Sequence, residues 1–121
     1  MTVAFWCVLA AALLPYVAIQ FVRRRDNEAP RANQAALTGR DALANGAHLN
    51  AFEAFPFFAF AVVSAQVFRG PNLYVDALAV AFVLIRLAHM WAYIAGMGSL
   101  RSALFGLGLL DAIAIFLFAA F

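Results

Sequence analysis

Four long apolar runs, separated by short polar or breaker-rich stretches, dominate the chain, and each predicts a membrane-spanning helix. The predicted helices cover residues 3–22, 38–68, 74–96 and 100–121. About 20 apolar residues in helical conformation cross the hydrocarbon core of a bilayer, which matches the length of each run. The one long polar stretch, residues 23–37, is predicted to be a connecting loop. Pro15 is expected to kink the first helix.

Local signals mark the ends of these helices. Thr38 with Asp41 three residues later is similar to a capping box in which aspartate replaces glutamate, so the second helix is expected to begin there. Gly70 and Pro71 end that helix in a turn. A cleaved signal peptide is the alternative interpretation of the first run. A membrane helix is favoured because no basic residue precedes the run and three arginines follow it directly.

Composition strengthens the membrane interpretation. Apolar residues make up 67% of the 121 residues and charged residues 12%, against roughly 45–50% and about 25% in soluble domains. A soluble chain of this size has too much surface to hide so much apolar side chain. The net charge of +2 is too small and too local for a nucleic-acid footprint. These values exclude a soluble enzyme, a disordered chain and a nucleic-acid-binding domain, and they predict an all-α integral membrane protein with a four-helix bundle.

The eight basic residues are all arginine, and their distribution predicts the orientation in the membrane. Five of them lie in the first connection and Arg101 lies at the third, whereas the second connection carries only Arg69. Basic residues near the ends of spans collect on the cytoplasmic side. We therefore expect loops 23–40 and 96–101 to be cytoplasmic and both termini to lie outside.

Ionisable residues inside the apolar runs are the main indication of a functional site. An ionised group in a bilayer costs at least about 2.5–3.5 kcal/mol on insertion scales. Glu53 lies 16 residues before Arg69, roughly 24 Å along a helix. Arg86 lies 14 residues after Asn72 on the next helix, roughly 21 Å. Glu53 and Arg86 should therefore lie at a similar depth, where they either face each other or share a polar cluster.

Further polar residues share helix faces with this pair. Asn50 precedes Glu53 by three residues on the second helix. His89 and Tyr93 follow Arg86 by three and seven residues on the third helix, and such spacings place side chains on one face. Two more polar residues open the fourth helix at the same end, Arg101 and Ser102. A buried Glu–Arg pair that only fixes helix register is the structural alternative, but the full cluster is more typical of a site for an anionic ligand.

No metal site is expected. Cys7 is the only cysteine, so neither an intrachain disulfide nor a thiolate metal cluster can form. His48 and His89 lie far apart in the sequence and have no partners at ligand spacing.

Two of these segments together resemble the MAPEG superfamily, the membrane-associated proteins in eicosanoid and glutathione metabolism. They are AHLNAFE at residues 47–53, followed by FPF at 55–57, and RLAHMWAY at 86–93, which closes with LRS at 100–102. Within the family the chain resembles microsomal prostaglandin E synthase and the microsomal glutathione transferases. Residues 26–31 resemble the first loop of a bacterial branch, which implies a bacterial inner membrane.

The resemblance implies a homotrimer of four-helix subunits with glutathione in a cleft between neighbours, near the cytoplasmic face. The thiol of glutathione would be the nucleophile, and a lipophilic small molecule would arrive from the membrane lipid, as in detoxification. Carried over by position, the cofactor-binding residues are Asn50, Glu53, His89, Tyr93, Arg86 and Arg24. The residues implied beside the sulfur are Arg101 and Ser102. Arg23 and Arg25 are the alternatives to Arg24, which would reach over from the neighbouring subunit.

Two positions depart from the family pattern. Gly46 stands where the family's glutathione users commonly have an arginine, and Leu49 stands where the prostaglandin synthase has another. Because arginine binds carboxylates bidentately, an arginine at position 46 is expected to tighten glutathione binding. Two other functions stay open. One is a non-catalytic protein of the same fold that binds a lipid or another anionic ligand. The other is a small four-helix exporter, which is disfavoured because the first run contains no acidic residue.

Overall fold

The computed structural model describes residues 1–121 and consists of five helices with no strand. They are α1 (Val3–Ile19), α2 (Pro30–Ala36), α3 (Gly39–Arg69), α4 (Leu73–Ile94) and α5 (Gly98–Ala120). The predicted all-α fold is confirmed. Three of the helices, α3, α4 and α5, are long and apolar enough to cross a membrane.

The apolar helix α1 is shorter than the first apolar run. It has 17 residues, which span roughly 26 Å. The backbone N–H groups of Gln20, Phe21 and Val22 donate to carbonyls only three residues back, so the chain continues past α1 as tighter turns. Pro15 lies inside α1, and its carbonyl oxygen lies 2.7 Å from Nδ1 of His48. Because a carbonyl only accepts, the ring nitrogen donates, and this bond fastens α3 to α1.

The predicted loop at residues 23–37 contains the short helix α2, which raises the helix count from the predicted four to five. Pro30 occupies the first turn, where its missing N–H has no partner to lose and its fixed φ already suits a helix. The Asp26 carboxylate accepts the backbone N–H of Glu28 at 2.9 Å just before the helix. Asn33 Nδ2 donates to the Arg24 carbonyl at 2.9 Å, which ties α2 back to the start of the connection.

The predicted capping box at the start of α3 is wrong. Thr38 is the N-cap residue, but its side chain makes no capping hydrogen bond. Asp41 instead accepts the backbone N–H groups of Arg23 and Arg24, at 2.9 and 3.1 Å. The carboxylate therefore fastens the connection that follows α1 to the first turn of α3.

The four apolar helices form a four-sided bundle in which α3 contacts α1, α4 and α5, and α4 also contacts α1 and α5. The N–H of Ala4 donates to the Asp76 carboxylate at 2.8 Å, so α1 and α4 begin at the same end. The short turn at Gly70, with φ 74°, joins α3 to α4 at that end. Helix α5 runs back to it, so both termini and this turn lie together, and the other two connections lie at the opposite end.

Small side chains let the helices approach closely, as is typical of membrane bundles. Buried alanines recur on α1, α3 and α4 in the hydrophobic core, among them Ala4, Ala11, Ala61, Ala65 and Ala79. The rings of Phe58 and Phe82 stack at 3.9 Å between α3 and α4. The hydrophobic core therefore lies toward the end of the bundle that carries the termini and the turn between α3 and α4.

Candidate functional site

A polar cavity of about 320 Å³ opens among α3, α4 and α5, toward the end of the bundle that carries the turn between α4 and α5. Its walls consist of Asn50, His89, Tyr93, Arg101, Ser102 and Phe105. Asn50 comes from the middle of α3, and the polar residues of α5 come from its first two turns. Five residues that the sequence singled out separately thus line one cavity.

Arg86 reaches its acidic partner through Asn50. Its Nη2 donates to Asn50 Oδ1 at 2.6 Å and to the Asn50 carbonyl at 3.3 Å. Asn50 Nδ2 in turn lies 3.5 Å from Glu53 Oε2. Of the two arrangements expected from the sequence, the shared polar cluster describes this geometry, and a direct Glu53–Arg86 hydrogen bond does not form.

The guanidinium of Arg101 lies over the ring of Tyr93, with its central carbon 4.6 Å from the ring centroid. This cation–π contact holds the cation at the cavity wall without a carboxylate partner. The Tyr93 ring packs directly against Gly46 on α3. A Cβ at position 46 would lie 2.6 Å from both Cε1 and Oη of Tyr93, so any larger residue there requires the ring to swing away. Tyr93 thus occupies the space that an arginine at position 46 would need.

His89 is almost fully buried, with 1% of its surface exposed. Its ring meets the Tyr93 ring edge-on at 5.8 Å and lies 6.4 Å from the ring of Phe105. Nδ1 of His89 is buried and has no hydrogen-bond partner in the chain. A buried polar nitrogen without a partner is costly, and a ligand in the cavity that bonds to it would remove that cost.

Arg24 lies away from this cavity in the single chain. It lines a different and larger cavity of about 580 Å³ together with Arg23 and Arg40. Its backbone is held by Asp41, while its side chain is exposed. Three arginine residues therefore line one cleft at the end of α1.

Phe105 is a wall residue that sequence reasoning missed, because one phenylalanine in an apolar helix gives no signal. It lines both the polar cavity and a second, mainly apolar cavity of about 210 Å³. Glu53 and Arg86 stand on the wall of that second cavity, which lies next to the first. The structure contains no group of three or more His, Cys, Asp or Glu side chains that could hold a metal ion.

Apolar helices of membrane-spanning length around a polar cavity define an integral membrane bundle protein. The MAPEG family matches residues 3–121, and the chain belongs to that family. This confirms the resemblance drawn from the two motifs at the level of the family. The family includes glutathione-dependent transferases and non-catalytic members. A search of curated proteins and a search of solved structures each found no match.

Proposed function

We propose that the protein is a glutathione-dependent membrane transferase or peroxidase that acts on lipophilic electrophiles. The observation that carries this proposal is the convergence of Asn50, His89, Tyr93, Arg101 and Ser102 on one polar cavity inside an otherwise apolar bundle. A charged cavity of this kind is expensive within a membrane and is therefore most often functional.

The chemistry of the cavity fits a peptide that carries two carboxylates, an amino group and a thiol. Arg101 has no carboxylate partner and is free to bind an anion. The partnerless Nδ1 of His89 offers a hydrogen bond to the backbone of a peptide. Glu53 is exposed on α3 and would hold an amino group, while Asn50 would bind the peptide and keep Arg86 in place. The cavity of about 320 Å³ is near the lower end of the volumes of ligand pockets, which run from about 300 to 1,000 Å³. A bound tripeptide would therefore fill it and extend beyond it.

Glutathione, when bound, would supply a thiol as the nucleophile. Arg101 would favour the ionised form of that thiol, because a neighbouring guanidinium lowers the pKa of a thiol. The Ser102 hydroxyl lies in the same wall and would donate a hydrogen bond to a sulfur anion. The Tyr93 ring would keep the guanidinium pointed into the cavity rather than toward solvent.

The exposure of Glu53 supports an oligomer, which we propose to be a homotrimer. This residue lies at the middle of α3, and the side chains around it on the outer surface are Phe52 and Phe57, which are 41% and 38% exposed. A carboxylate facing lipid at that depth is unfavourable. A neighbouring copy would cover Glu53 and complete the cavity, and Arg24 of that copy would reach the bound peptide from the cleft at the end of its α1.

We also propose that residues 1–121 form a single membrane domain in a bacterial inner membrane. The end that carries residues 23–40 and 96–101 would be cytoplasmic, and both termini would lie outside, in accord with the distribution of arginines. The polar cavity would then open toward the cytoplasm, where a water-soluble peptide is available. The lipophilic electrophile would enter from the membrane lipid.

Calorimetric titration of the purified protein with glutathione tests the proposal. We expect saturable binding by the wild-type protein and at least about tenfold weaker binding by His89→Phe, which removes both ring nitrogens. Asn27→Ala is the control, because Asn27 lies in the exposed connection away from the polar cavity. Equal binding by both variants, or no binding by any of them, would reject the assignment of the cavity.

A non-catalytic protein that binds a lipid or another anionic ligand in this cavity is the second candidate. The packing of Tyr93 against Gly46 favours it, because the family's arginine is absent and its space is filled. Mass spectrometry of the intact protein from mild detergent separates the two. A retained anionic phospholipid that glutathione fails to displace would support this second function.

A further inference from the structure

A cleft lined by arginine residues lies apart from the polar cavity, and we call it the basic cleft. It is the cavity of about 580 Å³ lined by Arg23, Arg24 and Arg40, between the segment that follows α1 and the first turn of α3. It shares no wall residue with the polar cavity. The function proposed above uses only Arg24 of these three, so Arg23 and Arg40 are charged residues without a role.

The positive charge of the basic cleft is not balanced from within the chain. Asp41 is the only acidic residue on its walls, and its two oxygens accept the backbone N–H groups of Arg23 and Arg24 at 2.9 and 3.1 Å. The arginine side chains that do bond at this end are those of Arg25 and Arg31, to Gln20 and Gln34. Three cations and one anion leave the walls with a net positive charge, which favours an anionic ligand.

The position of the basic cleft along α1 matches the level of lipid phosphate groups. The apolar run of the first helix gives way to three successive arginines after Val22. Such a change marks the depth at which the hydrocarbon of the bilayer meets the headgroups. Thr38 also lines the cleft, and its side chain is exposed and makes no capping bond to α3. Guanidinium and hydroxyl groups both donate hydrogen bonds to phosphate oxygens.

An apolar stripe on α1 leads up to the basic cleft. Phe21 lines the cleft and is 52% exposed. Val17 and Leu13 precede it at intervals of four residues and are 45% and 51% exposed, so the three side chains follow one side of the helix. An acyl chain attached to a phosphate in the basic cleft would lie along this stripe. The stripe therefore favours a lipid over a soluble anion.

We propose that the basic cleft binds the phosphate of an anionic phospholipid, with Arg23 and Arg40 as its partners and one acyl chain along the apolar stripe. A zwitterionic lipid fits less well, because its ammonium group needs an anion and the one carboxylate on the walls is already engaged. The proposal goes beyond the function proposed above and does not depend on glutathione. Arg24 stays available to the neighbouring subunit.

Native mass spectrometry of the delipidated protein in mild detergent measures the binding. The probes are dioleoyl phosphatidylglycerol, which is anionic, and dioleoyl phosphatidylcholine, which has the same acyl chains and a zwitterionic headgroup. We expect saturable binding of phosphatidylglycerol at roughly tenfold lower concentration than phosphatidylcholine. Equal binding of the two lipids by the wild-type protein would overturn the proposal, and this comparison needs no variant to fold.

Arg40→Gln and Arg31→Gln form a matched pair of variants. Each removes one positive charge from an exposed side chain at the same end of the bundle, but Arg31 lies on α2 and does not line the basic cleft. We expect Arg40→Gln to weaken phosphatidylglycerol binding about fivefold, and its combination with Arg23→Gln to abolish the preference over phosphatidylcholine. Arg31→Gln should leave binding unchanged. Equal effects of Arg40→Gln and Arg31→Gln would show diffuse surface charge only and would overturn the proposal.

The acyl chain is tested by a second pair of variants. Val17→Ser changes the apolar stripe, whereas Val63→Ser changes a comparably exposed valine on α3. We expect the first to weaken phosphatidylglycerol binding roughly twofold and the second to leave it unchanged. Glycerophosphoglycerol, the headgroup without acyl chains, should not compete at the same concentration. Full competition by this headgroup would identify a site for a soluble phosphate and would overturn the assignment to a lipid.

A third comparison separates the basic cleft from the polar cavity. His89→Phe, which alters the polar cavity, should bind phosphatidylglycerol as the wild-type protein does. Loss of lipid binding by His89→Phe with unchanged binding by Arg40→Gln would place the lipid in the polar cavity and overturn the proposal. Displacement of the lipid by glutathione would do the same. Retained phosphatidylglycerol binding by a protein that does not bind glutathione would support the basic cleft and reject only the transferase function.

Discussion

The bond between Arg86 and Asn50 provides the sharpest prediction about stability. Asn50→Ala removes an acceptor 2.6 Å from a guanidinium that is 4% exposed, and it leaves only the backbone oxygen at 3.3 Å. Hydrogen bonds to charged groups contribute about 1.5–3 kcal/mol. Since loss of a whole partner from a buried ion pair costs about 3–5 kcal/mol, we expect Asn50→Ala to lower the free energy of unfolding by about 2–3 kcal/mol.

A double-mutant cycle measures this interaction directly. Asn50→Ala, Arg86→Met and the double variant are unfolded by titration with sodium dodecyl sulfate and followed by circular dichroism. Met keeps the apolar volume of the Arg86 stem, and we expect an interaction energy of about 1–3 kcal/mol. A second cycle with Glu53→Ala in place of Asn50→Ala is the control, because the contact of Glu53 with Asn50 is long at 3.5 Å and Glu53 is exposed. Additive effects of the Asn50 and Arg86 substitutions, or stronger coupling of Arg86 to Glu53 than to Asn50, would refute the conclusion that Arg86 reaches Glu53 only through Asn50.

Two further predictions follow from contacts at the same end of the bundle. Gly46→Ala should displace the Tyr93 ring and weaken glutathione binding several-fold, as measured by calorimetry. Gly98→Ala is the control, because its added Cβ has nothing within 4 Å, and it should leave binding unchanged. Unchanged binding by Gly46→Ala would contradict a role for the packing of Tyr93 against Gly46. Asp41→Ala should free the backbone at Arg24 and speed cleavage there by trypsin, measured by mass spectrometry of timed digests. An unchanged cleavage rate would show that the two hydrogen bonds to Asp41 do not hold the segment that follows α1 in place.

The helices were predictable from the sequence because lipid imposes a strong pattern. Apolar runs and breaker residues mark α3, α4 and α5 to within two residues at most ends, since unsatisfied backbone polar groups cannot lie in the hydrocarbon core. Helix α2 was not predictable in this way. It is short and polar, and part of its support is the bond from Asn33 to the Arg24 carbonyl, a contact between residues nine apart. The pattern of apolar and polar residues does not predict such a contact.

The candidate site was predictable in composition but less so in its contacts. Spacing placed His89 and Tyr93 on one face, and both line the polar cavity. The acceptor of Arg86 was not apparent, because depth along two helices does not distinguish Asn50 from Glu53, which lie one turn apart. Asp41 was assigned to a local cap because its spacing from Thr38 fits one, and local spacing does not reveal its bonds to the backbone N–H groups of Arg23 and Arg24.

Packing against a neighbouring helix was the least accessible feature. The need for glycine at position 46 arises from the ring of Tyr93 on another helix, 47 residues later in the chain. An arginine at position 46, expected from the family pattern to tighten glutathione binding, would have to displace that ring. The tighter binding expected of this substitution stays a prediction, and it requires the Tyr93 ring to move.

The central claim is that Arg101 stabilises the thiolate of bound glutathione, and the near-ultraviolet absorbance of the thiolate tests it most directly. A free thiol titrates near pH 8.5 and is mostly protonated at neutral pH, whereas a guanidinium neighbour favours ionisation. Adding glutathione at neutral pH should therefore raise the absorbance of the wild-type protein in proportion to the bound fraction. Arg101→Ala should bind glutathione measurably by calorimetry yet lose this increase. No increase with the wild-type protein at millimolar glutathione, or an equal increase with Arg101→Ala, would contradict the account.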